Sequence, residues 1–351
     1  MKRRCEMNIL LVSVKSQKSL GGIATWTDRL LSKCEQHGMS CELVNTEMQG
    51  KRATNETSKR NIIDEISRTL RIFKELNAAL KKGGYDAAHL NTSCGTFGLF
   101  RDYIVAKQIK RKNVKLVTHF HCDIPYWIHN PISRRYLGKL VKLSDERLVL
   151  CENSRRYLET NYSIISTKVP NFINEEHILP EPKKVKEKLE TVVFVGRVSV
   201  AKGAKELYEV ARKIPDVTFR LVGNVTSDMK EVAPPKNVEL MGGLPHEKVL
   251  EELDRADAFF FPTHSEGFSL ALTEAMARGL PSVATDVGAN ADMLGGGCGI
   301  VTDIGDVDAM AQAIEDLYDA SVRKQMSQNA LNKVKEQYTA DVIIESFKNY
   351  Y

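Results

Sequence analysis

Apolar runs of strand length alternate along almost the whole chain with stretches whose apolar positions recur at helical spacing. In the first half the short runs lie at 8–14, 40–45, 87–91, 114–119 and 147–151, and the helical stretches at 23–37, 60–82, 99–111, 132–143 and 154–161. The second half repeats the theme. Strands are predicted at 192–195, 218–222, 238–241, 258–261, 282–284 and 299–301, and helices at 204–213, 247–255, 270–278 and 307–317. Two more polar-rich helical stretches, 322–338 and 340–351, lie beyond Asp319. Alternation of this kind predicts an α/β fold with parallel, doubly wound sheets. Phe259-Phe260-Phe261 and Val192-Val193-Phe194-Val195 are apolar on both faces, as strands covered by helices on both sides should be.

Periodicity breaks at Pro170-Asn171 and Pro180-Glu181-Pro182, and 183–190 is a charged run without an apolar face. The reading is therefore two Rossmann-like domains facing one another, at 1–170 and 191–338, joined by a linker at 171–190. A C-terminal helix at 339–351 is expected to cross back to the first domain. A length of 351 residues agrees with two domains of roughly 150 each. No repeat at a period of about 20–50 residues points to a solenoid or propeller. Open α/β sheets bind ligands at the carboxyl ends of their strands, so the site is expected in the cleft between the domains.

With 42% hydrophobic and 27% charged residues the chain falls in the soluble globular class, which excludes a collagen-like rod or a largely disordered tail. No stretch approaches the roughly 20 consecutive apolar residues of a membrane span. The basic segment Met1 to Met7 precedes an apolar run too short for a secretion signal, so 8–14 reads as a first strand. Seven cysteines, odd in number and without a C-x-x-C pair, read as free thiols in a reducing compartment. The expected location is cytoplasmic. Charge changes the picture more: residues 1–170 hold 30 Lys+Arg against 16 Asp+Glu, and 171–351 hold 20 against 29. Opposite signs in the two halves suggest domains with different partners, the basic one facing nucleic acid, an anionic lipid or a phosphorylated substrate unless its charge is merely solvated.

Four segments carry candidate chemistry. Ser19-Leu20-Gly21-Gly22 lies between the first strand and a helix, where paired glycines form either a simple turn or a cradle for an anion. It is no G-x-G-x-x-G, so a dinucleotide fingerprint is poorly met. His119-Phe120-His121 ends a strand. The two imidazoles share a face, but no third ligand is evident beyond Asp123, so one histidine lining the cleft while the other packs is preferred to a metal site. Gly196-Arg197 through Lys202-Gly203 puts a guanidinium fork and a point charge five residues apart on a loop after an apolar strand. Either they neutralise a diphosphate or they are ordinary surface residues. Finally, Glu266 stands before a helix capped by Ser269, and Glu274 lies in that helix's second turn. A carboxylate in so apolar a helix needs a partner, either a ligand hydroxyl or a buried salt bridge.

Gly-Arg-x4-Lys-Gly at 196–203 followed by Glu-x7-Glu at 266–274 resembles the signature of glycosyltransferase family 4, the "group 1" transferases of GT-B fold, and the likeness extends over most of the chain. Gly21-Gly22 resembles the family's N-terminal Gly-Gly loop, and His121, with His119 as its rival, resembles the cleft histidine. Val169-Pro170-Asn171-Phe172-Ile173-Asn174 resembles the hinge, although Phe172 and Asn174 replace the usual Gly and Asp. Leu221-Val222-Gly223-Asn224 and Ala284-Thr285-Asp286-Val287-Gly288 resemble two further motifs, the second with one glycine where the family has two. The departures lie outside the donor-diphosphate set.

The resemblance implies a retaining transferase that moves a hexosyl-type group from a nucleotide-sugar, such as a UDP- or GDP-sugar, to a hydroxyl acceptor. That acceptor would be a glycan or lipid-linked glycan of cell-surface polysaccharide synthesis, and neither metal nor cofactor is expected. The implied catalytic set is Arg197 and Lys202 on the diphosphate, Glu266 on the transferred sugar and His121 beside it. Gly21, Gly22, His119, Gly196 and Glu274, with Phe268, Ser269 and Leu270 at the helix N-terminus, are the implied substrate-binding set, Glu274 taking the donor ribose. Two rivals share the fold: a sugar-nucleotide epimerase, which needs acid/base carboxylates not identified in the first domain, and a non-catalytic sugar-nucleotide-binding partner, which would have lost part of the Arg-Lys-Glu-Glu set. The basic first domain suggests docking on the inner face of an anionic membrane. Its 60–82 helix carries Ile62, Ile63, Ile66, Leu70, Phe73, Leu76 and Leu80, a stripe expected mostly to face the sheet. Nucleic acid is not expected, since no binding module accompanies the charge.

Overall fold

The computed structural model describes residues 7–15, 21–48 and 62–351. Ser19, Leu20 and the basic positions Lys51, Arg52, Lys59 and Arg60 lie outside the described residues. The chain divides into two compact units, Met1–Asn171 with Ala340–Tyr351, and Phe172–Thr339.

In the first unit the elements run β1 (Met7–Ser13), α1 (Gly22–Lys33), β2 (Met39–Asn45), α2 (Ile62–Lys82), β3 (Ala87–Thr92), α3 (Thr96–Lys110), β4 (Lys115–Phe120), α4 (Ile124–Trp127), α5 (Pro131–Leu143), β5 (Glu146–Val149), α6 (Glu152–Tyr162) and β6 (Thr167–Lys168). The six strands form one sheet in the order β2-β1-β3-β4-β5-β6, every pairing parallel. Residues Ile9 to Val12 of β1 are fully buried, which is what an apolar run sandwiched between helix layers predicts.

The second unit holds β7 (Thr191–Val195), α7 (Ala204–Lys213), β8 (Thr218–Val222), β9 (Val238–Gly242), α8 (His246–Arg255), β10 (Ala258–Phe261), α9 (Leu270–Ala277), β11 (Ser282–Thr285), α10 (Asn290–Leu294), β12 (Gly299–Thr302), α11 (Val307–Glu315) and α12 (Ala320–Gln337). Its sheet, again all parallel, runs β12-β11-β10-β7-β8-β9. The last helix, α13 (Ala340–Phe347), belongs to the first unit. There Phe347 meets the Trp26 ring edge-on at 5.9 Å, Asp341 and Glu345 flank the His37 ring at 3.1 and 3.4 Å, and the Tyr351 hydroxyl lies 2.7 Å from His89 Nδ1.

One expectation is corrected. The apolar stripe of α2 is sheet-facing only in its C-terminal half, where Ile72, Leu76, Ala79 and Leu80 are buried. In the N-terminal half Ile63, Ile66 and Leu70 are 74%, 55% and 63% exposed, and they share one face by their spacing.

Candidate active site

In the second unit the chain leaves β7 for β8 and β9 on one side, then returns to pair β10 on the other. Such a switch opens a crevice at the strands' carboxyl ends, where doubly wound sheets bind ligands. Two loops frame it, 196–203 after β7 and 262–269 after β10. They are stitched together: the His264 amide donates to the Ala201 carbonyl at 3.1 Å, and the His264 ring meets Glu206 at 2.8 Å. Gly203 sits in the left-handed region at φ +73°, and a Cβ there would stand 1.9 Å from the Pro262 carbonyl oxygen, so the close approach requires glycine.

This seating brings Lys202, in a single 3₁₀ turn, onto the carboxylate of Glu266 in a short ion pair. Its ammonium also lies 5.7 Å above the Phe261 ring. A third loop closes from below: a Cβ on Gly288 would come within 2.1 Å of the Glu266 carbonyl oxygen. Gly196 donates its amide to Val222 at 2.9 Å, and Arg197 beside it is exposed.

Helix α9 starts where Ser269, its N-cap, accepts from the Leu272 amide at 3.1 Å. The preceding amides of Leu270 and Ala271 make no hydrogen bond among the described residues, and they lie at the positive end of the helix. Phe268 packs edge-to-face on Tyr338 with centroids 5.2 Å apart, which anchors the loop just before the cap. One turn into α9, Glu274 is only 6% exposed. Its Oε1 lies 3.1 Å from Nε2 of His246, the half-exposed first residue of α8. Lys202 and Glu266 are thus in contact, and Glu274 meets His246.

In the first unit the switch lies between β1 and β3. Gly21 caps α1 without a side chain, and both Gly21 and Gly22 are exposed. Of the two candidate histidines, His119 is fully buried, whereas His121, just past β4, is half-buried. Their rings lie 4.1 Å apart, with Trp26 edge-on to both and His89 5.5 Å from His119. Burial pushes His89 and His121 down to about 3, His121 being further disfavoured as a cation by the neighbouring His89 ring, and drives His119 well below the ordinary imidazole range. All three rings are neutral. His121 Nε2 lies 3.0 Å from Asn91 Oδ1. Among the described residues no group of three or more His, Cys, Asp or Glu side chains is disposed to hold a metal ion.

Sequence reasoning missed His246 and Asn91. The signal for both was positional. Asn91 is a polar residue near the carboxyl end of a buried strand, and His246 opens a helix shortly after the Gly242-Gly243 pair at the end of β9.

Residues 20–177 match the family model of glycosyltransferase family 4, and residues 176–333 match that of the glycosyl transferases group 1. A 2-deoxystreptamine N-acetyl-D-glucosaminyltransferase from Niallia circulans is 26% identical over 305 residues, 77% of each chain. An Escherichia coli UDP-Gal:alpha-D-GlcNAc-diphosphoundecaprenol alpha-1,3-galactosyltransferase is 24% identical, over 82% of each chain. Among solved structures, a sucrose-phosphate synthase from Thermosynechococcus elongatus superposes with a TM-score of 0.80 at 18% identity, covering 99% of this chain and 98% of its own. That likeness establishes the two-domain Rossmann-like GT-B fold, and the two family matches together span the site loops of both units. The chain belongs to the group 1 glycosyltransferases of family 4.

Proposed function

We propose that the protein transfers a hexosyl-type group from a nucleotide-sugar, a UDP- or GDP-sugar, to a hydroxyl of a glycan or lipid-linked glycan, with retention at the anomeric carbon and without a metal ion. The observation that carries this reading is the Lys202–Glu266 pair at the switch point of the second unit, beside the first amides of α9, which no described residue accepts from. A cation and a helix N-terminus suit a diphosphate, and a carboxylate adjacent to them suits sugar hydroxyls. With donor bound, Lys202 and Arg197 neutralise the diphosphate, and Glu266 accepts hydrogen bonds from the transferred sugar. Glu274, already held by His246, accepts from the ribose hydroxyls. In the transfer the bond from the anomeric carbon to the diphosphate oxygen breaks and the acceptor oxygen bonds that carbon. The acceptor proton passes to the leaving diphosphate, so no protein base is required. Lys202 then does most where negative charge develops, on the departing nucleoside diphosphate.

For the acceptor, the lipid-linked substrate named for the Escherichia coli relative supports a membrane location. The first unit carries matching features: exposed Ile63, Ile66 and Leu70 on α2, Phe97 on α3 and Trp127 on α4, with exposed Arg134 and Arg135 in the first two turns of α5. Helices α2 and α5 both pack on α3, and apolar side chains beside cations suit the headgroup region of an anionic bilayer.

The test is Lys202→Ala. Turnover should fall by about a hundredfold or more, the effect of deleting one donor aimed at developing charge. Near-normal kcat with only a raised KM would reduce Lys202 to a ground-state binding residue and remove the argument for this mechanism.

A further inference from the structure

Four polar side chains at the carboxyl edge of the first sheet form an unbroken chain. The Thr27 hydroxyl lies 2.8 Å from the Ile23 carbonyl oxygen, Ser13 Oγ lies 2.6 Å from Thr27 Oγ1, Asn91 Nδ2 lies 2.8 Å from Ser13 Oγ, and His121 Nε2 lies 3.0 Å from Asn91 Oδ1. Ser13 and Thr27 are fully buried and Asn91 is 5% exposed, so water does not substitute for a missing partner.

The direction of every proton follows from the first link. A carbonyl only accepts, so Thr27 donates to Ile23. Its oxygen is then left to accept, and Ser13 donates to it. Ser13 in turn accepts, which requires the NH2 end of the Asn91 amide to face it. The amide oxygen therefore faces His121, and the histidine nitrogen opposite it carries a proton. Reversing the amide would make Ser13 donate to Asn91 and Thr27 donate to Ser13. The Thr27 and Ile23 oxygens would then face each other with no hydrogen between them, buried, at a cost of about 1–3 kcal/mol.

We propose that Asn91 is a positioning residue: anchored through Ser13 and Thr27 on the Ile23 carbonyl, it holds His121 as the Nε2–H tautomer and presents Nδ1 as a hydrogen-bond acceptor to a ligand hydroxyl. Nδ1 makes no hydrogen bond among the described residues, and the ring stays neutral because burial holds it at about 3. Ile23 lies in the first turn of α1, directly after Gly21-Gly22, so the chain ties the glycine loop to the histidine through β1 and β3. The ligand's identity as a sugar hydroxyl rests on the transferase reading; the tautomer does not.

Two-bond proton–nitrogen spectra of the full chain with nitrogen-labelled histidine identify the tautomer, and the signal lost in His121→Gln assigns the ring. The expected pattern at neutral pH is pure Nε2–H. An Nδ1–H or averaged pattern overturns the proposal whether or not the protein proves to be a transferase. Thr27→Ser keeps the hydroxyl and should keep both the pattern and the activity. Thr27→Val keeps the shape, loses the hydroxyl, and should give an averaged pattern with kcat/KM lowered about fivefold, the size of one hydrogen bond. A pure Nε2–H pattern in Thr27→Val would show that the relay does not set the tautomer, and overturns it. Correct tautomers in a protein that proves to lack transferase activity would sink the functional reading alone.

Discussion

Three neutral imidazoles packed in one cluster, two fully buried and His121 half-buried, make the first unit sensitive to mild acid, and the size of the effect follows from their neutrality. In the unfolded chain His89, His119 and His121 return to the ordinary value near 6.5, while in the folded unit they stay neutral far below it. Below 6.5 the unfolded state therefore binds protons that the folded state does not, so stability is lost as pH falls. Between about pH 7.5 and about pH 5.5 each ring costs RT ln 11 less a negligible starting term, about 1.4 kcal/mol, or about 4 kcal/mol for three. This needs no accurate folded value, because a ring held well below about pH 5.5 is already silent there. A loss of that size is a large fraction of a domain's usual stability of about 5–15 kcal/mol.

Trp26, in the middle of the cluster, is the natural reporter, and the sequence has only one other tryptophan, Trp127. Denaturant unfolding in a Trp127→Phe background, followed by Trp26 emission, isolates the first unit from a second unit that unfolds on its own terms. His119→Leu removes one titrating ring and should reduce the acid loss by about a third, about 1.4 kcal/mol. A total change below about 1 kcal/mol over the same interval would mean that the rings are hydrated or charged in the folded state. The argument for a neutral, proton-accepting His121 would fall with it.

Glu274→Gln should weaken binding of the free nucleoside diphosphate about tenfold or more, because a charge-assisted hydrogen bond is worth about 1.5–3 kcal/mol, while the half-exposed His246 rehydrates at little cost to stability. Unchanged affinity measured by calorimetry, together with a lowered melting temperature, would make the Glu274–His246 pair purely structural. The protein should co-sediment with anionic vesicles at low salt and release at high salt, and Ile66→Glu should abolish that binding without altering turnover on a soluble acceptor. Binding that ignores lipid charge and salt would count against a membrane-docked first unit.

Strands were legible from two patterns: 258–261, apolar on both faces, coincides with β10, and 218–222, where half-buried Thr218 and Arg220 alternate with buried Phe219 and Leu221, coincides with β8. Strand β6, two residues long, and α4, a single turn, carry too few positions for any period to register. The α2 stripe shows a different limit. Periodicity says that Ile63, Ile66 and Leu70 share a face, but not what covers it, and only the three-dimensional packing reveals that the covering stops at Ile72. The candidate site divides the same way. Residue type and loop position picked out Lys202 and Glu266 separately, but their contact spans 64 residues of chain and depends on Gly203 lying under Pro262. The partner of Glu274 had to exist, since a carboxylate inside an apolar helix is not left alone, yet the position of His246 at the start of α8 did not say which carboxylate it would meet 28 residues away. Asn91 was the more readable omission. It ends the run read as strand 87–91, and a polar side chain at the carboxyl end of a buried parallel strand has only the ligand crevice or a neighbouring strand end to address. Here it addresses both, accepting from His121 and donating to Ser13, so a residue that looks like a strand terminator sets the proton on a ring 30 positions away.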